Sequence, residues 1–544
     1  DETDPALLDA AGAPLLEAGR IFVARADHDA MNRPVQAITP HSAGMQPNVI
    51  RVTYNEAGLA EKVDVWEQVA LVPATLLDPA TADIHAVTNV DYDARGVRVR
   101  IEYGNGTVTR RELDPETTRV ARILTTRPNS FPANERVVQD LRYTFDAAGN
   151  VTRTRDEADT QNVIYFANRR VDPTCDYTYD AGYRLLSATG REHLGQNGGG
   201  ALKPPNQGDA FDTGRAGLQH PRDGKAMGVY TESYEYDEVG NLLSMFHEVS
   251  SGNWRRRYTY DEASQVDAVQ KCNRLSSTSL PGDPVGGPYS ERYEYDEHGN
   301  MKKMPHLPSL TWNEREELHS TTRQVMGGGT PETTYYTYDV GGNRLRKITE
   351  RAGKRRKERI YLGSLEIYRE YEADGTTVKL ERETLLISAQ RQPAAVLETR
   401  TAGTDPAPSR VLKYQYQSLN ASSTLELDHV AAVVSYEEYF PYGGTAYQAV
   451  RNMTETPKRL RYTGKERDEE SGLYYFGARY YAAWLGRWVS PDPELLGDGP
   501  NLYLFVHANP VNMVDPNGTA GIVIFGVALT IEQLFLLAAG TAVV

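Results

Sequence analysis

Cysteine is nearly absent: Cys175 and Cys272 are the only two in 544 residues, and they stand far apart. By themselves they cannot build a metal site, and they leave the redox compartment open. The eleven histidines form no HxxxH or HExxH pair, and no cysteine lies near one at ligand spacing. Metal catalysis is unsupported and no cofactor is expected. No G-x-S-x-G elbow occurs either, so a serine-hydrolase reading has no support. Positive charge is also in deficit, with a net charge of -15. A backbone-driven nucleic-acid binder needs clustered Lys and Arg, so no nucleic-acid partner is expected. The short basic runs Arg255 to Arg257 and Lys354 to Lys357 read as solvated strand ends and turns. The opening DETDPALLDAAGAPLLEAG lacks the basic, apolar and small-residue order of a secretory signal. If the protein is secreted or exported, the signal lies elsewhere.

Phenylalanine is scarce too, and the aromatic that is present is tyrosine, 34 against 11. Tyrosine favours strands and joins an apolar ring to a polar tip, which points to extensive β-sheet with a half-wet face. A chain of this length holds three or four ordinary domains or one large repeat array, so repeats are sought first. After a lead-in of short strands over residues 1–50, one pattern recurs. VTYNEAGLAEKVDV from Val52 is a weak copy and YTFDAAGNVTRT from Tyr143 a clear one. YTYDAGYRLLSA, YEYDEVGNLLSM, YTYDEASQVDAV, YEYDEHGNMKKM and YTYDVGGNRLRK start at Tyr177, Tyr234, Tyr258, Tyr293 and Tyr336.

Tyr-x-Tyr puts two rings on one face of a strand. The following Asp, two variable residues and Gly-Asn make a turn in which Asp bonds nearby amides and Gly or Asn accepts positive φ. A second alternating run then completes a β-hairpin. The turn aspartates Asp146, Asp180, Asp237, Asp261, Asp296 and Asp339 are unevenly spaced. That predicts a continuous ribbon with insertions, not a propeller or leucine-rich repeat. Gly190 to Met227 reads as a Gly-rich surface or lumenal loop, since it lacks the ending of a phosphate loop. Leu307 to Gly329 and Thr401 to Pro408 read as further connectors. Hairpins of this kind must stack to bury their faces, so the expected fold is all-β, one long twisted and spiralling sheet.

These units resemble the YD or Rhs repeats of bacterial toxins and related cell-surface proteins. After residue 420 the likeness tightens. LELDHVAAVVSYEEYFPYGGTAYQA, RYTGKERDEESGLYYFGARYY, WLGRWVSPDP and NLYLFVHANPVNMVDPNG resemble the Rhs-associated core domain, with wording similar to the C component of bacterial Tc insecticidal toxin complexes. The resemblance implies a repeat wall over 51–419 forming a hollow shell, and a core domain over 420–518 that closes the shell as a plug. The apolar residues 519–544 would then open the variable C-terminal effector region. It also implies two partners: a B-component-like shell protein, on another chain or the same one, and the chain's own C-terminal effector as cargo.

Read alone, each Asp-Pro of the core is a turn opener. The resemblance implies instead an aspartyl autoprotease whose catalytic pair maps onto Asp492 and Asp515. Two carboxylates sharing one proton can activate water and protonate a leaving group. The family motif places the cut after the residue following DPxG, here between Thr519 and Ala520. Thr519 replaces the usual Leu or Met, and the first motif reads DPELLG. The intervening Asn501 to His507 reads as a strand on an out-and-back path. Arg467, Asp468 and Arg487 are candidate supports of a carboxylate, against a plain structural ion-pair role. The aromatic cluster from Tyr474 to Trp488 reads as core packing more than as a sugar platform.

AGIVIFGVALTIEQLFLLAAGTAVV, from Ala520, is long enough to span a bilayer, although Glu532 would be costly there. It reads as a membrane-contacting segment over 520–544 or as apolar sequence shielded inside the shell. Three functions follow from these readings: a self-cleaving, toxin-encapsulating shell protein; a YD-repeat adhesion module without cargo; and an Rhs effector delivered by a secretion system.

Overall fold

The computed structural model describes residues 21–158, 164–166, 168–194, 225–249, 253–264, 267–323, 329–389, 392–451 and 458–523. Among these the chain is β throughout, with strands, short 3-10 turns and no α-helix. The apolar segment beyond 523, and most of the Gly190 to Met227 insertion, lie outside the described residues. Two compact units are distinguished. One comprises Asp1–Thr109, Thr330–Gln415 and Leu427–Ala432, the other Arg110–Gly329, Tyr416–Glu426 and Val433–Val544.

In the first unit, antiparallel hairpins run in order, for example Val49–Tyr54 with Ala60–Trp66 and Val378–Ala389 with Gln392–Gly403. Part of its core gathers around Ile38, Val49 and Trp66. The second unit repeats the pattern from Val120–Thr126 through Met227–Tyr236 and Leu242–Val249. It then adds a small four-stranded sheet of Glu466–Arg467, Tyr474–Tyr475, Tyr480–Ala482 and Arg487–Trp488.

The Asp turns form as their chemistry requires. Asp237 Oδ1 accepts from the amides of Val239 and Asn241 at 3.1 and 2.8 Å, and its Oδ2 accepts from Asn241 Nδ2 at 2.8 Å. Asp146, Asp296 and Asp339 repeat this with Asn150, Asn300 and Asn343, and Arg184 takes the place of Asn after Asp180. Asp261 departs from the expected hairpin. Its amide is taken by Ser276 Oγ, and the strand Trp254–Thr259 pairs with Ser277–Thr278. After Asp261 the sequence has neither the Asn nor the Arg that closes the other turns from the fourth position.

The preference for tyrosine has a structural cause beyond half-wetness. In unit after unit the ring ahead of a turn donates to the first carbonyl after the preceding turn: Tyr54 to Pro34, Tyr92 to Ala60, Tyr179 to Val151, Tyr236 to Leu185 and Tyr260 to Leu242. Tyr439 to Ser423 and, through its indole nitrogen, Trp312 to Met301 extend the series. Each bond spans 2.5 to 3.0 Å and stitches one hairpin to the next. Phenylalanine would pack but could not donate.

Three sequence expectations are corrected. Gly190 belongs to the strand Leu185–His193, which pairs with Met227–Tyr236. Within Leu307 to Gly329, Ser309–Trp312 and Leu318–Thr322 form a hairpin closed by an Asn313 turn. Arg256 is not a solvated strand end: it is buried and donates to the Trp484 carbonyl at 2.7 Å, because the core segment packs over that strand.

Candidate active site

The aromatic cluster of the second unit is a closed kernel. Tyr481 stacks on Phe505 at 3.9 Å between ring centroids, and Trp488 meets Phe476 and Phe505 edge-on at 5.1 and 5.3 Å. Tyr474, Phe476, Tyr480, Tyr481, Trp484 and Trp488 are all buried. Their burial leaves no exposed ring face among them for a sugar. The phenolic tips of Tyr474 and Tyr481 donate to the carbonyls of Gly443 and Tyr442. Turn residues of the repeats brace the kernel from the same unit: Asn241 accepts from Asn501 Nδ2 at 2.9 Å, and the Gly299 carbonyl accepts from Tyr503.

Over this kernel lies Arg479, its guanidinium carbon 4.2 Å from the centroid of the Trp488 ring. It sits just before the strand Tyr480–Ala482, at the end of a tight turn through Gly477. Nη1 pairs with Asp492 Oδ2 at 2.8 Å and Nη2 with Asp515 Oδ2 at 3.4 Å. Nε donates to the Gly518 carbonyl at 2.5 Å. One buried side chain thus joins the two aspartates of the sequence motifs and the loop that follows the second.

Local chemistry sets each carboxylate. Asp492 comes two residues after Ser490 at the exit of the Arg487–Trp488 strand, and its Oδ1 accepts from the Glu494 amide at 2.9 Å, an Asp-Pro turn. Asp515 follows the strand Met513–Val514, which pairs with Ile522–Val523, so residues 515–521 form the loop of a hairpin. Asp515 Oδ1 accepts from the amides of Asn517, Gly518 and Thr519 at 3.2, 2.7 and 3.2 Å. Burial pushes both carboxyls above the usual aspartate range, against the pull of the Arg479 charge. Burial likewise lowers Arg479.

Lys465 forms the other wall. It is pushed down to about 8 by burial, partly offset by the Asp515 charge, and its Nζ donates to the Pro516 carbonyl. Two glycines allow the close approach. Gly477 and Gly518 have φ of 104° and 83°, and a Cβ on either would lie 3.0 Å from backbone, Asn517 O and Arg479 N respectively. The contact is completed by the Ala478 amide, which donates to the Asn517 carbonyl at 2.9 Å. Beyond it, Asp498 accepts from the Gly521 amide at 3.3 Å and from His507 at 2.7 Å, and that carboxylate raises the histidine.

The structure brings Asp492, Asp515 and Thr519 together and leaves the three candidate supports elsewhere. Arg487 donates to the Asn273 carbonyl and lies over the rings of Tyr260 and Tyr503. Arg467 faces Tyr474, and the backbone of Asp468 closes a turn with Gly472 and Leu473. Arg479 and Lys465 hold the place beside the aspartates, and sequence reasoning missed them because FGARYY and TGKERD carry no spacing that aims a side chain. Asn501 to His507 is also not a strand. Asn501 turns the chain by accepting from the Tyr503 amide, and Val506, His507 and Ala508 all have positive φ. The ends of the excursion still meet.

No protein-family model matches the chain. It is 34% identical to the toxin subunit YenC2 of Yersinia entomophaga over 433 residues, 79% of this chain and 42% of that protein. The toxin subunit YenC1 of the same organism is also 34% identical, over 80% of this chain and 42% of that protein. The chain therefore spans about two fifths of the length of these curated relatives. Its fold is similar to a crystal structure of TcdB2-TccC3, with a TM-score of 0.73 and 31% identity over 94% of this chain and 23% of that one.

Proposed function

We propose, on the premise that this chain is an Rhs/YD-repeat protein resembling the C component of bacterial Tc toxin complexes, that it cuts itself beside Thr519. The cut frees a C-terminal effector enclosed by its β-shell, for delivery to a target cell. The observation that carries the self-cleavage is the convergence of Asp492 and Asp515 on Arg479, directly against the loop bearing Thr519. Buried carboxyls with raised proton affinity are suited to sharing one proton, so that one activates water while the other protonates the leaving nitrogen. Arg479 supplies positive charge where charge develops on the attacked carbonyl.

Likeness to TcdB2-TccC3 supports a B-component-like shell partner, on another chain or the same one, and export as part of a toxin complex. The core cluster offers the adhesion reading no aromatic platform, since Tyr474, Tyr480, Tyr481, Trp484 and Trp488 are buried. Expression of the protein with its C-terminal region, followed by intact-mass measurement, tests the reading. The wild type breaks into two pieces, and Asp492→Asn and Asp515→Asn each slow the break by at least about a hundredfold. An unbroken wild type, or aspartate variants that break as fast, would overturn it.

A further inference from the structure

Arg487 stands apart from the two aspartates and has surroundings of its own. It is 5% exposed, its Nη2 donates to the Asn273 carbonyl at 2.5 Å, and its guanidinium carbon lies 5.4 and 5.0 Å from the ring centroids of Tyr260 and Tyr503. Nε is buried without a hydrogen-bond partner. Among the described residues no carboxylate pairs with this guanidinium, whereas Arg479 faces two. The groups that act on its charge are the phenols of Tyr260, Tyr295 and Tyr503. Burial holds all three above the ordinary tyrosine range, so they are neutral and bring no negative charge. Neighbouring Arg274, over the Tyr295 ring, is itself the partner of Glu262 at 3.4 Å.

A cavity of about 10 Å³ adjoins the guanidinium, and Arg487, Gly486, Asn241, Asn501, Tyr260 and Tyr503 are among the residues lining it. That volume takes one particle the size of a water molecule and is too small for sulfate, phosphate or a carboxylate group. The phenolic protons of Tyr260 and Tyr503 are committed to the carbonyls of Leu242 and Gly299, and Arg487 Nε is the donor left over. A water would accept from Nε but leave the charge uncompensated, and a buried charge is costly unless it is paired.

We infer that this cavity is a site for a single monatomic anion, chloride under ordinary conditions, held by the Arg487 guanidinium. Arg487 belongs to the core segment and Asn273 to the repeats, so the ion neutralises a cation that fastens one to the other. Its occupancy therefore acts on stability, and the inference stands independently of self-cleavage.

Two measurements on the wild-type protein test this. Crystals grown in bromide are expected to show an anomalous-scattering peak beside Arg487. In solution, with ionic strength held constant by gluconate, each tenfold rise in chloride above its Kd is expected to lower the unfolding constant about tenfold. Arg487→Met is expected to lose that dependence. The absence of a bromide peak at the cavity overturns the inference. So does a peak joined to a stability indifferent to chloride, which is binding at crystal concentration only. Chloride dependence that persists undiminished in Arg487→Met overturns it as well.

Discussion

Arg479 is the residue on which the site turns, and its surroundings make its replacement informative. It carries one positive charge between two buried carboxylates and also reaches a backbone carbonyl, a division of labour that a planar guanidinium fork permits and an ammonium does not. Arg479→Lys is expected to keep the fold and slow cleavage on the order of a hundredfold. Arg479→Gln leaves the carboxylates unpaired, so it is expected to cost about 3–5 kcal/mol in chemical denaturation. Under the proposed self-cleavage, the two carboxyls set its pH dependence. One carboxyl must hold a proton, and burial raises both, so the rate falls on the alkaline side at a pH above the ordinary aspartate range. It falls again in acid, once both are protonated. A pH profile of single-turnover cleavage checks this.

Lys465 gives a second test at the same scale, with the opposite sign. Its folded value is lowered from 10.5 to about 8, so the unfolded state binds the proton more tightly. Its contribution to stability is present above pH 10.5 and is lost as pH falls through 8. Across that window the unfolding free energy of the wild type is expected to gain about 3 kcal/mol relative to Lys465→Met.

At the scale of elements, the hairpin is the unit and the tyrosine stitch is what ties one to the next. Tyr236 donates to the Leu185 carbonyl and accepts from the Tyr442 hydroxyl, so Tyr236→Phe leaves a buried acceptor without its donor. A loss of about 1–2 kcal/mol is expected in urea denaturation. Tyr54→Phe, whose bond lies near solvent, is expected to lose less. The Asp turns were legible because Asp, Gly and Asn act through local backbone bonds. The stitches were not, because a phenol seeking a carbonyl in the preceding unit leaves no mark on sequence spacing beyond the abundance of tyrosine. Asp261 shows the limit of the repeat: Asp180 closes its turn through Arg184 without Gly-Asn, whereas Asp261, with neither Asn nor Arg four residues on, does not form the expected hairpin.

At the scale of the whole molecule, the prediction concerns what holds the two pieces after the break. Ile522–Val523 stays paired with Met513–Val514, and Gly521 stays bonded to Asp498. The effector is therefore expected to co-elute with the remainder in native size exclusion and to separate only on denaturation. Early separation of a cleaved wild type would contradict that retention.

The sequence by itself determined the β class, the hairpin repeat and the turn chemistry, since each rests on period-two patterning or on bonds within a few residues; the two aspartates were singled out only by the family resemblance. Tertiary structure alone decided that the aromatic cluster is a kernel and not a surface. It also decided that Arg479 and Lys465, and not Arg467, Asp468 or Arg487, wall the dyad. Those outcomes depend on contacts between segments distant in the chain, where burial and backbone approach at Gly477 and Gly518 select the partner, and no local spacing encodes that choice.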